Sequence, residues 1–308
     1  MSEVGGVSVS GVRRTFGPVV AVDQMTFTAP PGSVTALVGP NGSGKTTIML
    51  ILASLLRPDV GQISIAGHDP ITAPVEVRRR LGWMPDTFGS YDNLTSREVL
   101  EFFAAAHRLP KAARTRRARE LLALVHLEEF ADAPVHVLSR GQKQRLGLAR
   151  AIVHSPDVLL LDEPASGLDP RSRVDLRVLL RTLAGAGAAV LVSSHILSEL
   201  EEMADRAVFV AGGHTQAEQT LGELRNAEAL GPWRIRALDT DRLLSALARH
   251  GVTFDARDAS GVQVMLRGDA DAAELLAALM RDGVPVATIA PVGGALENAY
   301  LRLTEDRR

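Results

Sequence analysis

The 308-residue sequence contains no cysteine, which excludes disulfides, thiolate metal centres and cysteine nucleophiles and leaves its chemistry to oxygen and nitrogen groups. No apolar stretch approaches the roughly 18 residues that crossing a bilayer requires. The opening MSEVGGVSVS also lacks the charged and apolar regions of a secretory signal, so a cytoplasmic location is expected. Charge of one sign is missing too: 34 Lys and Arg stand against 36 Asp and Glu, a formal net charge of -2, and no global basic field points to nucleic acid. There is no repeat array, low-complexity tract or sustained heptad run. What is present is 46% hydrophobic and 23% charged, ordinary globular usage, in a chain long enough for one large domain and one small one.

Residues 1–222 mix strands and helices in the alternating order that yields a mostly parallel sheet covered on both faces. VTALVG (34–39), DVLLLD (157–162) and AVLVSS (189–194) are short apolar runs suited to buried parallel strands. GQISIAG (61–67) and AVFVAGGHTQA (207–217) read instead as antiparallel strands with glycine-marked turns. Between them, over about residues 88–155, the pattern turns helical: Thr95 and Glu98 make a capping box ahead of VLEFFAAAH, and leucines then recur at helical spacing in RRARELLALVHL. This predicts a helical insertion. GPW at 231–233 predicts a linker or turn. Residues 223–308 read as strand, helix, strand, strand, helix, strand and a final helix, a small α+β domain of the split βαβ, ferredoxin-like order. It shows no catalytic constellation, so a packing or regulatory role is expected.

GPNGSGKTT (39–47) follows an apolar strand and opens a helical pattern, the context of a phosphate-binding loop. Gly39, Gly42 and Gly44 free the backbone to aim consecutive N–H groups at phosphate oxygens, and the helix N-terminus adds partial positive charge. Pro40, Asn41 and Ser43 complete the loop. Lys45 supplies a point charge for the outer phosphates, Thr46 a hydroxyl for Mg²⁺ and Thr47 a further phosphate contact. Downstream, VLLLDEP sets two carboxylates at a strand end: Asp162 as partner of Mg²⁺, and Glu163 as candidate general base for the water attacking the γ-phosphate. Ser139 with Gln142 forms a second capping box, so a free helix end faces an anion.

LSRGQKQRLGLARAI (138–152), lying between phosphate loop and carboxylates, resembles the signature motif of ABC ATPases, and the likeness covers about residues 7–220. It implies the P-loop NTPase fold of ABC type, with an antiparallel β part and a helical insertion, and ATP with Mg²⁺ as ligands. It implies that Ser139, Gly141 and Gln142 face ATP held by an opposite subunit, either a second copy or a homologous ATPase. It also makes Phe16 the aromatic that stacks on adenine, Asp169 of SGLDP the polar member of an interface loop, and His195 the histidine that contacts the γ-phosphate.

Two positions depart from the family pattern. Asp86, in LGWMPDTFG, stands where the family usually has glutamine, and a coupling role near the metal is expected for it. Arg140 stands where the common signature has glycine. The single motif set, PDTFGSYDNLT and LENAYLRLT resemble the ATP-binding subunits of bacterial exporters with separately encoded permeases. Such a subunit would sit in the cytoplasm on the inner face of the membrane, touching it only through the permease, by way of the segment around Phe88 to Leu94. A soluble ABC-type regulator acting on a macromolecular partner is the alternative.

Overall fold

The runs that read as uniformly apolar are the strands buried on both faces, and they organise the first of two units, residues 1–219. The computed structural model describes residues 5–87, 89, 93–226, 230–258 and 261–305. In chain order the first unit comprises β1 (Val7–Phe16), β2 (Val19–Ala29), β3 (Val34–Val38), α1 (Lys45–Leu52), β4 (Val60–Ile65), α2 (Pro74–Arg80), β5 (Leu81–Met84) and α3 (Ser96–Ala106). Then follow α4 (Lys111–Leu124), α5 (Arg140–Ala151), β6 (Val158–Asp162), α6 (Pro170–Gly185), β7 (Ala189–Ser193), α7 (Leu197–Met203), β8 (Arg206–Ala211) and β9 (His214–Thr220).

One sheet has the order β5-β6-β7-β3-β8-β9, and β5 through β8 pair in parallel. Antiparallel β2-β1-β4 forms a second, smaller sheet. Between them runs α1, whose Ile48, Met49, Ile51 and Leu52 are all fully buried, as a helix apolar on every side must be. Each of these side chains contributes about 1.5–3 kcal/mol of apolar burial, which packs the helix after the phosphate loop into the core it shares with both sheets.

The helical insertion forms as expected: α3 and α5 open with capping boxes at Thr95/Glu98 and Ser139/Gln142, each satisfying otherwise orphaned N–H groups. The stretch 207–217 needs a correction. β8 pairs in parallel with β3, and the chain reverses only at Gly212 and Gly213, both at positive φ, into neighbouring β9. Of the segment from Phe88 to Leu94, Phe88, Ser90, Tyr91 and Asp92 lie outside the described residues.

The second unit, residues 220–308, contains α8 (Leu221–Asn226), β10 (Leu230–Ala237), α9 (Thr240–Arg249), β11 (Phe254–Asp258), β12 (Gly261–Arg267), α10 (Gly268–Arg281), β13 (Val286–Pro291) and α11 (Ala295–Glu305). Its antiparallel sheet has the order β11-β12-β10-β13, so β12 lies between the two strands joined by α9, as the split βαβ pattern requires. Its own core gathers Trp233, Ile235, Leu243, Leu247, Val264 and Leu279. The linker expected at 231–233 is therefore wrong: Gly231, Pro232 and Trp233 pair with β12 inside β10, because Trp233 is anchored in that core.

Candidate active site

The carboxyl ends of β3, β5, β6 and β7 carry every candidate of the nucleotide site except those on β1 and the insertion, the place where an open α/β sheet holds its ligand. Residues 39–47 leave β3 and turn into α1 over a cleft of about 440 Å³ lined by Asn41, Gly42, Gly44, Lys45, Thr46 and Thr47 from the loop, with Asp86, Asp162 and Glu163 opposite. Two glycines are required by close approach as much as by torsion. A methyl group on Gly39 would fall 2.2 Å from the carbonyl oxygen of Val210, and one on Gly44, at φ 96°, 2.5 Å from that of Ala21. The loop is thus pressed against β8 on one side and β2 on the other.

Lys45, 8% exposed, donates from Nζ to the carbonyl oxygens of Gly39 at 2.6 Å and Pro40 at 3.0 Å. Burial pushes its ammonium below the usual lysine range, while the nearby carboxylates of Glu163 and Asp162 draw it back up. The hydroxyl of Thr46 donates to Asp162 Oδ2 at 3.1 Å. On the other side Ser193 donates to Asp162 Oδ1 at 2.5 Å, a contact set by sheet register, since Asp162 and Ser193 are direct partners across β6 and β7. A buried carboxylate and a threonine hydroxyl held together make a hard oxygen donor pair, and they fit Mg²⁺.

Glu163 follows Asp162 at φ 53°, a left-handed conformation costing a non-glycine residue about 1–2 kcal/mol. Its N–H donates to Ser193 O and Oγ, both at 3.2 Å, and its carbonyl accepts from Gln144 Nε2 at 2.9 Å. The strained backbone turns the carboxylate away from the strand, where Oε2 lies 2.7 Å from Nδ1 of His195 and accepts from the His195 N–H at 3.3 Å. Because a carboxylate only accepts, Nδ1 carries the proton in this contact and the Nε2 edge of the ring is left for other partners.

The remaining candidates are separate from this cluster within the single chain. Phe16, 46% exposed, is paired across the β1–β2 hairpin with Val19, which lines the cleft, and the Arg14 guanidinium lies 4.8 Å from its ring centroid. Asp169 is the N-cap of α6: the Ser172 N–H and hydroxyl donate to it at 3.0 and 2.7 Å and hold its carboxyl below the usual range. Ser139, Gly141 and Gln142 occupy the first turn of α5, outside the cleft lining. Two participants escape the sequence reading, Ser193 and Gln144, and Arg140 enters it only as a departure from the common signature. Only Gln144 left a usable signal, a polar residue in step with Leu148 and Ala151 on the buried face of α5.

A phosphate loop at the end of β3, carboxylates at the end of β6 and a signature helix in an insertion together define an ATPase of the ABC class. The ABC transporter family pattern matches residues 22–166. The chain is 35% identical to a daunorubicin resistance ATP-binding protein of Streptomyces coeruleorubidus over 98% of its own length and 96% of that protein. It is likewise 35% identical to Nod factor export ATP-binding protein I of Ralstonia nicotianae, over 71% of this chain and 68% of the relative. Among solved structures, an ATP-binding subunit of an ABC transporter superposes with a TM-score of 0.68 at 27% identity, covering 89% of this chain and 99% of that one. A dimeric bacterial ABC transporter cassette reaches 0.65 at 25% identity, over 70% and 98%. The chain belongs to the ABC transporter family as an ATP-binding, ATP-hydrolysing subunit.

Proposed function

We propose that the chain is the MgATP-driven motor of an exporter, acting on a separate transmembrane permease at the inner face of the membrane. The observation that carries the reading is Asp162, bonded at once to Thr46 of the phosphate loop and to Ser193, with Glu163 beside it on His195. Residues 39–47 and Phe16 hold ATP. Thr46 and Asp162 hold Mg²⁺, which when bound neutralises phosphate charge. Glu163 takes the proton of the attacking water, and His195, held by Glu163 through Nδ1, presents Nε2 to the outer phosphate and that water. Ser139, Gly141 and Gln142 serve the nucleotide of a second cassette, with Asp169 in the loop between them, so two chains close on two ATP and reopen after hydrolysis. Asp86, on the cleft wall after β5, couples the site to the permease. No helix among the described residues is long and apolar enough to cross a membrane, which fits a motor whose membrane path lies in its partner. The likeness to relatives named for drug resistance and for Nod factor export supports export. Residues 220–308, also spanned by the daunorubicin resistance relative, form an accessory unit.

The test is fractionation of cells producing the tagged chain with and without a multi-span membrane protein encoded beside it. Recovery in the membrane fraction only with that protein, and MgATP-dependent transport by the reconstituted pair, are expected. A chain that sediments with another macromolecule and hydrolyses ATP regardless of the membrane protein would favour a regulatory ATPase.

A further inference from the structure

Arg140 occupies the first position of α5, directly after the N-cap Ser139, and is an exposed residue outside the lining of the cleft. Nη2 donates to Ser166 Oγ at 2.7 Å. Its stem lies across Gly167, which at φ 75° has so little room that a methyl group there would meet Arg140 Cδ at 3.0 Å and Cγ at 3.1 Å. The adjacent Gly141 packs equally closely, since a methyl group on it would lie 3.1 Å from the Gly167 carbonyl oxygen.

The segment gripped in this way is the one that fixes Glu163. The Ser166 N–H donates to the Glu163 carbonyl oxygen at 3.1 Å, and the same oxygen accepts from Gln144, one turn along α5. At its far end the segment is held by Arg173, whose Nε donates to the Leu168 carbonyl at 3.2 Å while Nη1 pairs with Glu199 at 2.9 Å. Helix α5 therefore meets the backbone behind the strained Glu163 at Arg140–Ser166, Gly141–Gly167 and Gln144–Glu163. Only the first of these depends on a side chain absent from the common signature.

We infer that Arg140 is a positioning residue that ties the signature turn to the loop behind Glu163, so that the first turn of α5 and the catalytic carboxylate move as one body. This rests on the reading of Glu163 as general base. A tie of this kind sets how Glu163 is presented to water and leaves the phosphate loop alone, so its loss falls on kcat and not on KM.

The experiment measures steady-state MgATP hydrolysis by the full chain carrying Arg140→Ala, Arg140→Lys, Ser166→Ala, the Arg140→Ala/Ser166→Ala pair and, as control, Glu163→Gln. Arg140→Ala is expected to lower kcat about three- to tenfold with KM for ATP within about twofold. Ser166→Ala, which removes only a surface hydroxyl, should reproduce the loss, the double variant should be no worse than either single one, and Arg140→Lys should recover part of the rate. Unchanged kcat, additive losses, or an effect confined to KM would each overturn the inference while Glu163→Gln is inactive. Full turnover by Glu163→Gln would remove the reading beneath it as well.

Discussion

Nδ1 of His195 lies 2.7 Å from Oε2 of Glu163, joining the second residue beyond β7 to the first residue beyond β6. The positive φ of Glu163 brings its carboxylate to that contact, and the backbone bonds to Ser193 and Gln144 maintain the strain. Glu163→Gln keeps the shape and the acceptor oxygen while removing the base. Turnover should fall about 100-fold or more with ATP binding preserved, and the variant should accumulate as an ATP-bound dimer. Phosphate release and size-exclusion chromatography with MgATP check this, and a variant still turning over at the wild-type rate would exclude Glu163 as base.

Ser193 holds Asp162 from the side opposite Thr46, a supporting contact of the kind that orients metal ligands. Ser193→Ala should raise the Mg²⁺ concentration for half-maximal ATPase activity about tenfold, and Asp162→Asn should raise it further. Mg²⁺ titration of the rate at saturating ATP reads this directly. Equal Mg²⁺ requirements in wild type and Ser193→Ala would place the serine in packing alone.

The parts of this site that were legible in sequence are local in the chain. The phosphate loop is contiguous, both capping boxes span three residues, and Asp162 and Glu163 announce themselves by ending an apolar run. The strand and helix order of residues 223–308 was readable for the same reason. What was hidden depends on sheet register or on contact between distant segments. Nothing in AVLVSS reveals that Ser193 lies opposite Asp162, and nothing in LSRGQ reveals that Arg140 reaches Ser166. GPW misled because glycine and proline signal turns by backbone preference, whereas Trp233 was committed to the core of β10.

Gly42 and Gly44 separate torsional from steric demands within one loop. Both have positive φ, 78° and 96°, but a methyl group on Gly42 meets no protein atom within 4 Å whereas on Gly44 it comes within 2.5 Å of the Ala21 carbonyl oxygen. Gly42→Ala should cost about 1–2 kcal/mol of stability. Gly44→Ala adds the clash with β2 and should cost more. Urea denaturation without nucleotide would read the difference, and equal losses would show that the loop can withdraw from β2.

A half-buried histidine stack gives the unit a dependence on pH. The rings of His107, at the end of α3, and His154, after α5, lie parallel at 3.6 Å with 5° between their planes. His154 Nε2 lies 3.1 Å from the Leu81 carbonyl oxygen, which accepts from it, at the start of the strand that leads to Asp86. The pKa of His154 is lowered to about 4, chiefly by burial and with His107 and Arg117 adding to it against the opposing pull of the Leu81 carbonyl and Asp157, and burial lowers that of His107 as well. The sign follows from the unfolded chain, whose histidines titrate near 6.5 and so bind protons that the folded stack refuses. Stability from His154 is complete above that value and declines as pH falls from 6.5 toward about 4, by at most about 1.4 kcal/mol per pH unit, and the more exposed His107 adds in the same direction. His154→Gln retains a side-chain donor for Leu81 and cannot titrate, so its melting temperature should fall less steeply than that of wild type between pH 6.5 and 4.5, the two curves converging at the acid end. Parallel curves would assign the acid sensitivity to groups other than the stack.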